Sequence, residues 1–271
     1  EEVYNLAAQS HVAHSFKAPY VTREINFHGV ERLVHALEEA GISDRVRLYQ
    51  ASTSEMFGNS ANPPQNENSP MAPVSPYARA KLDAHDLIKR EREKGRFYCS
   101  GILFNHESPR RGKDFVTKKT TLQASRMAKG MDNVLVLGNL SPKRDWGFAG
   151  DYVEAMWRML QQEKPQDYVV STGETHTVKE FVDIVFSRAG LNYQLIDLSN
   201  NTEQEADKKI AELRINKGFF VVQHPKYFRP EDVNLLLGDS SKARKELGWK
   251  PKTPFNELVS MMVDHDLSNT K

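Results

Sequence analysis

Two short runs bring four chemically useful groups close together: Gln50-Ala51-Ser52-Thr53-Ser54-Glu55-Met56-Phe57-Gly58, then Tyr77-Ala78-Arg79-Ala80-Lys81. They supply a hydroxyl (Thr53), a carboxylate (Glu55), a phenol (Tyr77) and an ammonium (Lys81). On a helix, a tyrosine and a lysine four residues later share one face, one turn apart. The ammonium favours phenolate, drawing a pKa of roughly 10 toward neutrality. Tyr77 is then a candidate general base toward an alcohol that loses hydride. Such pairs also arise by chance on solvated helices, and it is the Thr53–Glu55 block that points to a site. Two structural alternatives stand beside this reading: Glu55 as a first-turn helix acid and Thr53 as a strand-end cap.

The elements that would position these groups follow from periodicity. Val3-Tyr4-Asn5-Leu6-Ala7-Ala8 reads as a buried parallel strand, apolar and ending in small residues. Val30, Leu33, Val34 and Leu37 at helical spacing predict a helix over about 20–40, stopped at Gly41. A strand follows over 47–51 with Thr53 at its carboxyl end, then a helix over 76–93 with Pro76 in its first turn, then a strand over 97–104. This alternation is the signature of a doubly wound parallel sheet, an α/β fold. Beyond Gly112 the elements shorten, with helices expected near 115–129, 151–163 and 177–189 and strands near 134–138 and 167–171. Two more helices are expected near 240–247 and 255–265, while the polar stretch 198–217 reads as a solvated helix or loop.

Ligands of such sheets bind beyond the carboxyl ends of the strands. Polar clusters fall at three successive strand ends: Ala7 to Ser10, Thr53 to Glu55, and Asn105 to Arg111. Turn formers and caps favour the same positions, but three chemically loaded clusters together point to one shared site.

Bulk properties narrow the class. The 271 residues are 39% hydrophobic and 27% charged, an ordinary globular balance with a core of domain size. A net charge of +1 gives no bulk attraction for nucleic acid, so any phosphate binding must be local. No apolar run reaches the length of a membrane span, and no signal peptide opens the chain. The single cysteine, Cys99, excludes an internal disulfide framework and fits a reducing, cytoplasmic setting.

The motifs together resemble the extended short-chain dehydrogenase/reductases acting on nucleotide sugars, and within them the GDP-mannose 4,6-dehydratase family. The resemblance rests on Tyr4 to Val12, Gln50 to Glu55, Ser75-Pro76-Tyr77-Ala78 with Ala80-Lys81, and Gly101 to Gly112. It continues through Phe115-Val116-Thr117, Leu137 to Leu140, Arg144 to Gly147, Asp151-Tyr152-Val153, Tyr227-Phe228-Arg229-Pro230 and Gly238-Asp239. Asn-His-Glu-Ser-Pro-Arg-Arg-Gly at 105–112 and the Thr-Ser-Glu form of 53–55 are specific to this branch; related thymidine-diphosphate glucose dehydratases typically have Thr-Asp-Glu.

The resemblance implies an NADP-dependent lyase that converts GDP-mannose to GDP-4-keto-6-deoxymannose, in a homo-oligomer (dimer or tetramer). Tyr77 would deprotonate the 4-hydroxyl with Lys81 lowering its pKa, Thr53 would hydrogen-bond that oxygen, and Glu55 would remove the C5 proton. Leu6, Ala7, Ala8, Gln9 and Ser10 would line the cofactor, joined by Tyr77, Lys81, His106 and Arg111. Asn105, Val116, Lys119, Arg144, Arg229 and Asp232 would contact the GDP-sugar, Asp232 standing where the family has a glutamate. Two further departures are Lys118 for the usual arginine and Val21 for a cofactor-contacting tyrosine. The implied fold is Rossmann-like, with residues 1–112 a partial cofactor and catalytic domain. Residues 113–271 would form a smaller α+β nucleotide-sugar domain with segments returning to the first.

None of the fifteen glycines forms the strand–turn–helix fingerprint that seats a dinucleotide pyrophosphate. The family resemblance makes the Val3 strand an inner one, so on the order of 70 preceding residues are expected in a longer enzyme, at roughly 30 or more per strand–helix–strand unit. Two other readings share these residues. One is a nucleotide-sugar epimerase or reductase on the same scaffold, which needs no base for C5. The other is an inactive form that only binds GDP-sugar.

Overall fold

The computed structural model describes residues 1–59, 62–228 and 233–270, opening with β1 (Glu2–Asn5), α1 (Val12–Lys17) and α2 (Pro19–Arg23). A π-helical stretch, Glu24–His28, joins α2 to α3 (Gly29–Glu39). Next come β2 (Arg47–Thr53), a 3-10 turn (Ser54–Phe57), α4 (Pro76–Glu93), β3 (Tyr98–Leu103) and β4 (Asn105–Glu107). The chain continues through α5 (Val116–Ala128), β5 (Val134–Leu137), β6 (Lys143–Arg144), β7 (Trp146–Phe148), α6 (Ala149–Leu160) and β8 (Tyr168–Val170). It ends with β9 (His176–Thr177), α7 (Val178–Arg188), β10 (Tyr193–Asp197), α8 (Glu203–Arg214), β11 (Phe219–Gln223), a second 3-10 turn (Pro225–Tyr227), α9 (Ser241–Glu246) and α10 (Phe255–Asn269).

The chain forms two compact units. The first comprises Glu1–His106, Asp145–Thr175 and Glu231–Lys252; the second comprises Glu107–Arg144, His176–Pro230 and Thr253–Lys271. No helix among the described residues is long and apolar enough to cross a membrane.

In the first unit, β1, β2, β3 and β8 form a parallel sheet in that order. Alternation along the strands sends apolar side chains to both faces. Leu48 and Tyr98 pack on Val30, Val34, Ala84 and Ile88 of α3 and α4. Tyr49 and Cys99 face the other way, onto Tyr152, Met156 and Met159 of α6 and onto Trp249. Helices on both faces make this the doubly wound α/β layer expected. Trp249 is buried edge-on against Tyr152, its ring nitrogen donating to the Asp151 carbonyl at 2.7 Å. α4 begins where the sequence marks it: Ser75 accepts the Ala78 N–H at 3.0 Å, and Pro76 holds the first helical position.

Two expectations need correcting. The 3–8 strand is not buried: β1 spans four residues, alternates exposed with half-buried positions, and leaves Tyr4 38% exposed. Among the described residues it is an edge strand with a partner on one side only, and of its side chains Val3 packs on the α3–α4 face. The helix over 20–40 is not continuous either. The π-helical stretch interrupts it and turns the buried Asn26 toward the loop after β1, where Asn26 accepts the Gln9 N–H (2.8 Å) and donates to the Gln9 carbonyl (3.0 Å). The wider π turn is the backbone adjustment that aims this side chain.

In the second unit, β10, β11 and β5 form a parallel sheet in that order. The polar stretch expected as a solvated helix or loop is in part α8, started by a reciprocal Thr202–Glu205 capping box. Ala206, Ile210 and Leu213 give it a buried face against Val134, Phe220 and Val222. α10 packs on α5 and α7. There Asp266 pairs with the buried Lys118 and accepts from Thr121 at 2.7 Å.

Candidate active site

Because β1, β2 and β3 are parallel, their carboxyl ends lie on one edge of the sheet. That edge gathers Leu6 to Ser10, Thr53 to Glu55, and Asn105 with His106. α4 packs against both β2 and the Ser54–Phe57 turn, bringing Tyr77 and Lys81 to the same edge.

Thr53 ends β2 and is largely buried, and its Oγ1 accepts the Glu55 N–H at 3.3 Å. Accepting there leaves the threonine O–H as a donor. Glu55 sits half-buried in the first turn of the 3-10 helix. The cap and the first-turn acid are therefore both present, and neither uses up the group's reactive end. Gly58 closes the turn at φ 60°, ψ −144°, where a Cβ would lie 2.0 Å from the Ala72 carbonyl oxygen. Only glycine fits there.

Tyr77 is buried in the first turn of α4. Lys81, also buried, donates from Nζ to the Ala51 carbonyl at 3.0 Å. Burial pulls its pKa down to about 8. The same carbonyl accepts from Gln50 Nε2 at 2.9 Å, and Gln50 Oε1 accepts from Asn5 at 2.7 Å. This Asn5–Gln50–Ala51–Lys81 chain was not foreseen as a unit. Its only sequence signal is a glutamine between Tyr49 and Ala51 in a strand. On the next residue, Ser52 lies 3.1 Å from Nδ1 of the buried His85, whose pKa burial lowers.

In the loop after β1, Leu6 is 52% exposed, Ala7 and Ser10 are exposed, and Ala8 and Gln9 are half-buried. Gln9 is anchored by Asn26 at its backbone and donates from Nε2 to the His11 carbonyl at 3.0 Å. His106 bonds the Phe104 carbonyl at 2.9 Å through Nδ1 and stacks on Tyr152 with ring centroids 4.8 Å apart. Asn105 is half-buried at the start of β4.

Arg111, Val116, Lys119 and Arg144 belong to the second unit. The first three surround the start of α5, whose N-cap Phe115 provides no side-chain cap. Arg111 lies 3.6 Å over the Phe115 ring and 3.2 Å from the buried Glu107, which also accepts from Thr117 at 2.7 Å. Burial raises the Glu107 pKa, against the lowering by Arg111 and Thr117. Val116 opens the helix, and Lys119 lies 4.3 Å over the Tyr227 ring with its pKa lowered by burial. Arg144 is buried on β6, donating to the Lys143 carbonyl at 3.0 Å. Its neighbour Asp145 instead ties the first unit's loop, accepting from Thr172 and Gly173 N–H groups at 2.8 and 2.9 Å. Arg229 and Asp232 lie outside the described residues.

Among known families, the model for GDP-mannose 4,6 dehydratase matches residues 1–262. The chain belongs to the GDP-mannose 4,6-dehydratase family. It is 50% identical to GDP-mannose 4,6 dehydratase 1 of Arabidopsis thaliana, across 100% of this chain and 69% of that protein. The GDP-mannose 4,6 dehydratase of Drosophila melanogaster is 47% identical, across 98% of this chain and 66% of its own length. The fold also matches a structure of RMD from Pseudomonas aeruginosa complexed with NADPH, at a TM-score of 0.81 and 22% identity, covering 99% of this chain and 82% of that one. The match extends over both units. Within the matched range, Thr53 to Glu55 stand at the end of β2, where α4 packs.

Proposed function

We propose that these residues perform the GDP-mannose 4,6-dehydratase reaction, with NADP as the resident cofactor. The position of Glu55 carries the reading. Its carboxylate stands in a turn of its own, capped by Thr53, at the sheet edge that also receives Tyr77. An alcohol oxidation needs only Tyr77 and Lys81; a separate carboxylate is what elimination requires.

The cofactor would lie along Leu6 to Ser10, where small Ala7 and Ala8 and an anchored Gln9 leave room for close approach, and near His106. When bound it supplies the acceptor, and later the donor, of one hydride. Tyr77 takes the proton of the 4-hydroxyl, while the Thr53 O–H donates to the same oxygen. Lys81, with a pKa of about 8, is still mostly cationic at neutral pH and stabilises the phenolate. Once C4 is a ketone the C5 hydrogen is acidic. Glu55 removes it and passes that proton to the departing 6-hydroxyl, which leaves as water; C6 then receives the hydride and C5 a solvent proton through Glu55, giving the 4-keto-6-deoxy sugar. The GDP diphosphate would meet Lys119 and the uncapped start of α5, where a cation and free N–H groups favour an anion. Arg144 adds a second cation, and Asn105 a sugar contact.

Incubation with GDP-mannose and NADP should yield the 4-keto-6-deoxy product with no net NADPH. Steady NADPH release would instead mark a simple dehydrogenase. Glu55→Gln should lower turnover by about 10²–10⁴-fold and abolish deuterium incorporation at C5 from heavy water. Retained turnover in that variant would exclude Glu55 as the base.

A further inference from the structure

We propose that Tyr227 is a positioning residue for the nucleotide diphosphate, its ring holding the Lys119 ammonium in place without neutralising it. The inference rests on the reading of Lys119 as a diphosphate-binding cation. Lys119 sits in the first turn of α5, its backbone N–H bonded to the Phe115 carbonyl at 2.8 Å. Asp114 is the carboxylate whose charge acts on it, but among the described residues no ion pair closes between them, and its ammonium lies 4.3 Å over the centre of the Tyr227 ring. A lysine side chain is long and flexible, so an unrestrained ammonium would lose rotamer freedom on meeting a ligand. A carboxylate could restrain it, but would compete with phosphate for its charge. An aromatic face attracts the cation and leaves that charge available to an anion.

Tyr227 is held at its backbone and along one edge of its ring. β5 ends at Leu137, and Gly138 follows so close to Tyr227 that a Cβ there would lie 2.3 Å from the Tyr227 carbonyl oxygen. His224 extends the β11–β5 pairing by donating its N–H to the Leu137 carbonyl at 2.8 Å. Its buried imidazole caps the 3-10 turn, accepting the Lys226 N–H at Nδ1 at 3.2 Å and meeting the Tyr227 ring edge-on at 5.7 Å. Nδ1 as acceptor leaves the proton on Nε2, which lies 3.3 Å from Asp207 of α8 without hydrogen-bonding to it. The end of β11 thus aims the ring, and the ring aims Lys119. Tyr227 is 48% exposed, so a change there is expected to leave the fold intact.

The test is GDP binding by calorimetry together with steady-state kinetics on GDP-mannose. Tyr227→Leu should weaken GDP by roughly 2- to 30-fold, the range of a cation–π contact. It should raise KM by a similar factor and leave kcat at saturation in place. Tyr227→Phe keeps the face and should bind within about 2-fold of the parent. Equal weakening in both variants would assign the effect to the hydroxyl and overturn the proposal. So would parental GDP affinity in Tyr227→Leu when Lys119→Ala binds poorly. If Lys119→Ala itself binds GDP normally, the diphosphate reading falls first, and the positioning role falls with it.

Discussion

Lys81 is costly to fold and useful once folded. Its ordinary pKa of 10.5 falls to about 8 because burial disfavours the charged form. Between those values the folded chain has released a proton that the unfolded chain still holds, so stability rises with pH across that window. Below about pH 8 both states are protonated, and the folded state bears the whole cost of burying the ammonium. At 1.36 kcal/mol per unit that is about 3 kcal/mol. Lys81→Met keeps the side chain's bulk and removes the charge, while Gln50 still donates to the Ala51 carbonyl. It should stabilise the protein by about 1–3 kcal/mol at pH 7, and the gain should fade by about pH 10.5. Turnover should fall by more than about 10²-fold. Urea unfolding at the two pH values checks the first part; a gain that does not change with pH would show that charge burial is not its source.

At the scale of elements, the site stands on the loop after β1, and that loop stands on a π turn. Asn26 satisfies both the N–H and the carbonyl of Gln9 from a fully buried position. Asn26→Ala should destabilise by about 2–3 kcal/mol, since it strands two backbone groups. It should also speed amide hydrogen exchange across Leu6 to Ser10; unchanged exchange there would mean the loop is held by other contacts. Little of this was legible beforehand. α4 is legible from Pro76 to about Glu93 because proline suits the first helical turn, and local chemistry fixes local structure. β2 and β8 were readable as short apolar runs between turn residues. Asn26 was not: within a helical pattern it looks like any outward polar residue, and its partner is seventeen positions away. Lys81 was recognised by its spacing from Tyr77, but the acceptor that holds it is a backbone carbonyl, which no side-chain pattern reveals. β11 is not legible although Phe219 to Val222 are all apolar, because charged α8 residues precede it and obscure the run.

At the scale of the molecule, the chain passes repeatedly between its two units, so each closes only on late residues. α10 supplies Asp266 to the buried Lys118, which also donates to the Pro109 carbonyl at 3.0 Å. Asp266→Ala leaves that ammonium buried and unpaired, which should cost about 3–5 kcal/mol. Calorimetric melting would measure the loss. A shift close to zero would mean that solvent reaches Lys118 once the carboxylate is gone.

Trp249 gives the same interleaving a consequence in time. It is the last large side chain to enter the first unit's core, yet the strand ladder it helps cover begins at Glu2. At about 5–20 residues per second of synthesis, β2 and β3 leave the ribosome roughly 7–40 s before Trp249 does. Throughout that interval β2 and β3 lack part of their cover on the α6 side. Until Trp249 emerges the nascent chain therefore presents a sticky parallel ladder to the cell, and its yield in vivo should depend on holding chaperones far more than the stability of the finished fold suggests.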